Sequence, residues 1–199
     1  MGVQAEQLKK ENAFAQYEAL KNQVSPHFLF NSLSILSSLV HVDAELSGKF
    51  IDQLSRAYRY ILEQKDNDTV SLKTEIDFIK AYAFLLKIRF ENKFELKIEI
   101  ADDIANKFRI APLTLQLLVE NAVKHNRMSA KEPLIVSVST DRTFLSVSNP
   151  VQERTEHERI SSTGIGLKNI DNRYKLLTNQ PVQIENVNGN FVVKIPLLS

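Results

Sequence analysis

Between Gln4 and about Val40, apolar residues return at near-helical intervals: Leu8, Phe14, Tyr17, Leu20, Val24, Phe28, Leu36 and Leu39. The run holds no glycine and one proline, so it predicts a single long helix, kinked where Pro26 lacks an amide hydrogen and crowds the carbonyl one turn back. A second helix is expected from Asp43, a good N-cap, to about Gln64, with Leu46, Phe50, Leu54, Tyr58 and Ile61 on one face. Two amphipathic helices joined by a short turn make a hairpin, which cannot enclose its own apolar face. Pairing with a second copy into a four-helix bundle is the simplest remedy, and packing on the rest of the same chain is the alternative.

Lys65-Asp66-Asn67-Asp68-Thr69 is a polar break that divides the chain into residues 1–66 and 67–199. Beyond it, Ser71 followed by Thr74-Glu75 has the form of a capping box, opening a helix to about Phe90 with Ile76, Ile79, Tyr82, Ala83 and Leu86 inward. Strands are expected at Phe94–Ile100 and, for a short stretch, at Lys107–Ile110, then a helix from Leu113 to about His125. Leu134–Ser139 and Phe144–Ser148 alternate as strands about a turn at Thr140-Asp141-Arg142. A hydrophilic loop from about Gln152 to Thr163 leads into a helix at Ile165–Leu177, and Val182–Asn186 with Asn190–Leu197 closes as a hairpin about Asn188-Gly189. The fold class that follows is α+β: a helical hairpin, dimeric as a four-helix bundle, ahead of a mixed sheet covered by helices on one face, a two-layer α/β sandwich.

With 43% hydrophobic and 25% charged residues the chain has the composition of an ordinary globular protein, able to bury a sizeable core. Its 25 basic and 24 acidic residues nearly cancel, which leaves no electrostatic footprint for nucleic acid or an anionic membrane. The absence of cysteine excludes disulfides and thiolate metal sites and fits a reducing compartment. No apolar run approaches the roughly 20 residues that cross a bilayer, so this stretch is expected to be soluble and cytoplasmic. Met1-Gly2 running straight into a charged helical pattern has the look of an engineered start, with a sensor or membrane portion expected upstream.

Three segments carry candidate chemistry. In Val24-Ser25-Pro26-His27-Phe28-Leu29-Phe30-Asn31, His27 and Asn31 are four apart and share a helix face, while Val24, Phe28 and Leu36 share an apolar stripe. The imidazole is thus set beside the core rather than in it. Glu120-Asn121-Ala122-Val123-Lys124-His125 puts an amide and an ammonium about one turn apart on a helix, a spacing common on solvated faces. Gly164 and Gly166 stand where a polar loop meets a helix, a place where backbone amides and the helix N-terminus can take phosphate. Each signal alone is modest; their order along the chain adds to them.

The segment Gln23–Leu33 resembles the phosphoacceptor element of the LytS-type sensor histidine kinases, in which the histidine of a Pro-His-Phe-x-x-Asn core takes a phosphoryl group from ATP. The Leu-x-x-Glu-Ile-x-Phe-Ile-x-x-Tyr and Lys-x-Arg-Phe pieces of residues 72–90 are similar to the same family, residues 120–125 resemble its N box, and Gly164-x-Gly166-Leu167-x-Asn169 its glycine box. The resemblance implies His27 as acceptor with Asn31 beside it, Asn121 as the Mg2+ ligand, and Lys124 near the phosphates. It gives His125 a part at the phosphates or in packing, and Gly164, Gly166, Leu167 and Asn169 a place around the nucleotide. It implies a GHKL-type ATP-binding domain at 67–199, a phosphotransfer hairpin at 1–66, a homodimer, and a response-regulator receiver domain as partner. Linkage of the full-length protein to a membrane sensor follows as well.

The pattern departs at Ser148-Asn149-Pro150-Val151, where related kinases carry an Asp that reads the adenine amine, followed by a glycine-bearing turn. Asn149 can still accept that bond, at roughly 1 kcal/mol against ~1.5–3 for a charged acceptor. Many histidine kinases also place an acid directly after the acceptor; Phe28 stands here, and Glu120 is the candidate base from the opposite domain. Simple ATP hydrolysis is disfavoured, because gyrase-like enzymes hold a water-activating Glu four residues before the metal-binding Asn and Leu117 occupies that position. A dimeric scaffold that keeps the fold without turnover is the non-enzyme alternative.

Overall fold

A computed structural model describes residues 28–64, 66–152 and 165–199. The helix expected before Phe28, with its kink at Pro26, falls on residues outside those described. Helix α1 covers residues 28–39, and α2 follows as Ala44–Gln64. Asp43 starts α2 as expected, its Oδ1 accepting the Leu46 amide at 2.9 Å.

The face of α2 that the pattern marked as apolar does not wait for a second copy. Phe50, Leu54, Ala57, Tyr60 and Ile61 are buried in the same core as the helix α3 (Leu72–Arg89), and Tyr60 stacks on Phe78 at 4.2 Å between ring centroids. Phe28, Ile35, Leu36 and Leu39 of α1 pack against that core too. The apolar face of the hairpin is therefore covered in large part within the chain. Buried between α2 and the rest of the domain, α3 hides ten of its residues, more than one helical stripe can supply. Ser71 caps α3 by accepting the Thr74 amide at 3.1 Å, whereas Glu75 turns into the core instead of closing a capping box.

The remaining elements are β1 (Val70–Ser71), β2 (Phe94–Glu99), α4 (Asp102–Lys107), β3 (Arg109–Ile110), α5 (Thr114–His125), β4 (Leu134–Thr140), β5 (Phe144–Pro150), α6 (Ile165–Leu177), β6 (Gln183–Val187) and β7 (Asn190–Pro196). The main sheet runs β2-β4-β5-β7-β6, with β2 and β4 parallel and the other neighbours antiparallel. A small antiparallel pair, β1 with β3, stands apart from it. Leu134, Val136 and Val138 on β4, with Leu145 and Val147 on β5, face the helices, and the intervening serines are part-exposed. Leu115, Leu118, Val119 and Ala122 of α5 and Ile170 and Tyr174 of α6 meet them in one core. This is the expected mixed sheet with helices on one face.

Two boundaries differ from expectation in ways that matter. Lys107 closes the short helix α4, and only Arg109–Ile110 is strand, because the Asp102-Asp103 pair at a helix start and Lys107 at its end suit a helix dipole. Strand β5 runs on to Pro150, so Asn149 sits on a strand, paired with Phe191, and not in a turn. The β6–β7 turn follows the pattern, with Asn188 and Gly189 both at positive φ (51° and 77°).

Candidate active site

Helix α5 carries Glu120, Asn121, Lys124 and His125, and three sets of contacts fix it along its length. Its first residues cannot be capped locally, since Leu113 holds the N-cap position in the left-handed region (φ 64°) and has no side-chain acceptor. Glu75 of α3 supplies the acceptors instead: Oε2 takes the Leu113 amide at 3.1 Å and Oε1 the Leu115 amide at 3.0 Å. The Tyr60 hydroxyl of α2 donates to the same Oε2. A fully buried carboxylate thus lies at the positive end of α5, joined to the hairpin by one tyrosine. Burial pushes the Glu75 carboxyl up from 4.5 to about 7, against the opposing pull of the Tyr60 hydroxyl, the two amides and Arg173. The Tyr60 hydroxyl is itself pushed up by burial and by the charge of Glu75.

Arg173 of α6 braces the same corner, donating to the Pro112 carbonyl at 2.7 Å and to the carbonyls of Asn67 and Asp68 at 3.3 and 3.5 Å. Arg109 adds two bonds to Thr69, at 2.9 and 2.8 Å. The polar break after the hairpin is therefore clamped to the sheet domain.

In the middle of α5, Glu120 Oε1 accepts the Tyr82 hydroxyl at 2.7 Å and the Gln116 amide at 2.8 Å. Burial, then the neighbouring Glu120, raises the Tyr82 hydroxyl well above its usual range. The ring of Tyr82 lies 5.2 Å from that of Phe28, which also stacks with Tyr58 at 6.4 Å. At the helix end, Asn126 donates to the Ala122 carbonyl at 2.9 Å and accepts the Gln152 amide at 2.7 Å, while the Arg127 amide reaches the Gln152 carbonyl at 2.9 Å. The segment leaving β5 is pinned to the end of α5.

Asn149, 5% exposed, points to the helix side of β5 and gives its amide to the Pro150 carbonyl at 2.8 Å. Its carbonyl oxygen has no partner among the described residues. Neither Asn121 nor Lys124, both half-buried, has a side-chain hydrogen bond or ion pair among those residues. A Cβ built on Gly166 would meet nothing within 4 Å. Free amide, free ammonium, free acceptor and an open backbone suit an anion with a metal and a base edge to be read. Among the described residues no three His, Asp or Glu gather to hold a metal, so a divalent ion would take most of its ligands from phosphate and water.

A family model described as histidine kinase matches residues 15–94. The sensor histidine kinase YpdA of Escherichia coli K12 is 32% identical over 191 residues, covering 90% of this chain and 34% of that protein. The sensor protein LytS of Streptococcus mutans is 31% identical over 198 residues, covering 92% of this chain and 34% of its own length. The chain belongs to the LytS-type sensor histidine kinase family. It spans about a third of the length of these curated relatives. Among solved structures, the catalytic domain of histidine kinase ThkA matches at 18% identity and a TM-score of 0.41, covering 64% of this chain and 94% of that one; nothing is inferred from so slight a likeness.

Within this LytS-type chain, the structure brings Glu120, Asn121 and Lys124 together on one helix and sets Asn31 on α1. His27 and Gly164 lie outside the described residues. His125 is exposed and so does not pack in the core. Leu167 packs against the core, and Gly166 and Asn169 are half-buried at the start of α6. His41 is exposed in the turn after α1. Sequence reasoning passed over Glu75, Tyr60, Gln116, Asn126 and Arg173. The signal for Glu75 was present: it sits one position before Ile76 in the inward phase of α3, where an acid must find donors. No helix among the described residues is long and apolar enough to cross a membrane.

Proposed function

We propose that this chain is the catalytic core of a two-component sensor histidine kinase, which phosphorylates His27 from Mg-ATP and passes the group to an aspartate of a response regulator. The observation that carries the reading is that Phe28, the residue after His27, packs on Tyr82, whose hydroxyl holds Glu120 next to Asn121. The acceptor helix and the N box are thereby linked through one side chain.

Asn121 would bind Mg2+, Lys124 the phosphates, Asn149 the adenine amine, and Gly164 and Gly166 the phosphates through backbone amides. When bound, Mg2+ neutralises charge on the transferring group. The neutral imidazole attacks phosphorus with one ring nitrogen, the phosphorus–oxygen bond to the departing ADP breaks, and the proton on the other nitrogen goes to a base, for which Glu120 is the candidate. Asn31, one turn from His27 in sequence, would orient the imidazole.

In this reading residues 1–66 form the phosphotransfer and dimerisation unit and residues 67–199 the GHKL-type nucleotide unit. Support for a homodimer comes from apolar side chains the core leaves exposed. Phe30 and Leu33 share a face of α1, with Val40 exposed in the turn just after it, and Ile51 and Leu62, eleven residues apart, share a face of α2. The full-length protein would be a membrane-linked sensor. Incubation with γ-labelled Mg-ATP tests the reading: acid-labile, alkali-stable label on the chain is expected, and nucleotide binding without label contradicts it.

A further inference from the structure

Tyr82 is almost fully buried, and its two ends do different things. Its ring packs against Phe28 of α1 and against Phe78, 6.1 Å away on its own helix. Its hydroxyl reaches across to α5 and holds Oε1 of Glu120. Gln116 donates to that same oxygen, and its own Oε1 is left buried without a partner. A core amide oriented only to satisfy itself would not orphan its acceptor. Both donors therefore converge on one oxygen of a carboxylate that is itself half-exposed. Among the described residues Glu120 Oε2 has no partner.

A glutamate on an open helix face samples several rotamers, and a base that wanders loses the geometry that proton transfer requires. Two donors on Oε1 fix the orientation of the carboxylate, leaving Oε2 to accept a proton. We infer that Tyr82, assisted by Gln116, is a positioning residue that aims Glu120 at the acceptor helix of its own chain, with Phe28 seated on the Tyr82 ring as the register between the two. This rests on the kinase reading above. In the step it serves, an imidazole nitrogen forms a bond to the γ-phosphorus of a nucleoside triphosphate. The phosphorus–oxygen bond to the β-phosphate breaks, with its electron pair leaving on the diphosphate. The proton of the second ring nitrogen passes to Oε2 of Glu120. Tyr82 keeps its own proton throughout, consistent with a hydroxyl whose pKa burial raises.

The test is a double-mutant cycle on the full chain, reading both the phosphorylation rate at saturating Mg-ATP and the affinity for ATP. Tyr82→Phe keeps the ring and removes the hydroxyl, so packing on Phe28 and Phe78 is retained. The rate is expected to fall about tenfold with ATP affinity changed less than about twofold, and Glu120→Gln to lower the rate by about 100-fold or more. In the Glu120→Gln background Tyr82→Phe should add nothing, which a merely structural tyrosine would not show. Gln116→Leu, which removes the other donor, should slow the reaction in the same direction and serves where Tyr82→Phe folds poorly. A Tyr82→Phe chain that labels at the wild-type rate, or two effects that multiply, overturns the inference and leaves the kinase reading standing. A wild-type chain that binds ATP and takes no label overturns both.

Discussion

Glu75 is a buried acid whose environment pulls in two directions: burial favours the neutral form, while three donors and the nearby Arg173 favour the charged one. Burial wins, moving the carboxyl to about 7 in the folded chain. A carboxyl with a raised folded pKa contributes stability that is fully present below its unfolded value, near 4.5, and lost as pH rises through 7. A shift of that size corresponds to roughly 3 kcal/mol, so wild-type stability should decline across this window. Glu75→Gln removes the titration but leaves one donor poorly met, at about 1–3 kcal/mol. Urea midpoints between pH 5 and 8 should therefore show the variant less stable at pH 5 and closing the gap by pH 8. Parallel curves for the two chains would show that Glu75 does not titrate there. At Asn149 the free oxygen can accept the adenine amine, and Asn149→Leu should weaken ATP roughly fivefold, about 1 kcal/mol. Calorimetry finding Leu as good as Asn would move the base-reading position elsewhere. With Asn149 only 5% exposed, Asn149→Asp must desolvate its charge, which subtracts from the gain of a charged acceptor.

At the level of elements, most of the sheet and helices could be read from periodicity, because alternation at β4 and β5 and the caps at Asp43 and Ser71 are local signals. The three candidate motifs are likewise contiguous in sequence, and Glu120, Asn121 and Lys124 do share one helix. What could not be read was what each helix meets. The stripe Phe50-Leu54-Ile61 marks a buried face but not its partner, and it packs against α3. Likewise the N-terminus of α5 has no local cap, and its acceptor comes from Glu75, 38 residues before Leu113. Leu54 decides between the two destinations of the hairpin stripe. At 9% exposure within the core, Leu54→Ala should lower the stability of the chain's cooperative unfolding by about 2–4 kcal/mol. If the variant loosens self-association while the sheet domain melts unchanged, the stripe belongs to the bundle instead.

For the whole molecule, the packing of Phe28 on Tyr82 and the bond from Tyr82 to Glu120 make α1 the neighbour of α5 in its own chain, and on the proposed reading that sets the acceptor beside its own N box. Mixing His27→Gln chains with Asn121→Asp chains should therefore restore little label, since transfer within one chain cannot be complemented; strong restoration would mean transfer between copies. Every step of the proposed transfer requires His27 as the acceptor. The most direct measurement is peptide mapping of label from γ-labelled Mg-ATP in the wild-type and His27→Gln chains. Acid-labile label confined to the peptide holding His27, and absent from a His27→Gln chain that still binds ATP, is the expected result. Undiminished label in His27→Gln would place the acceptor elsewhere and contradict the account.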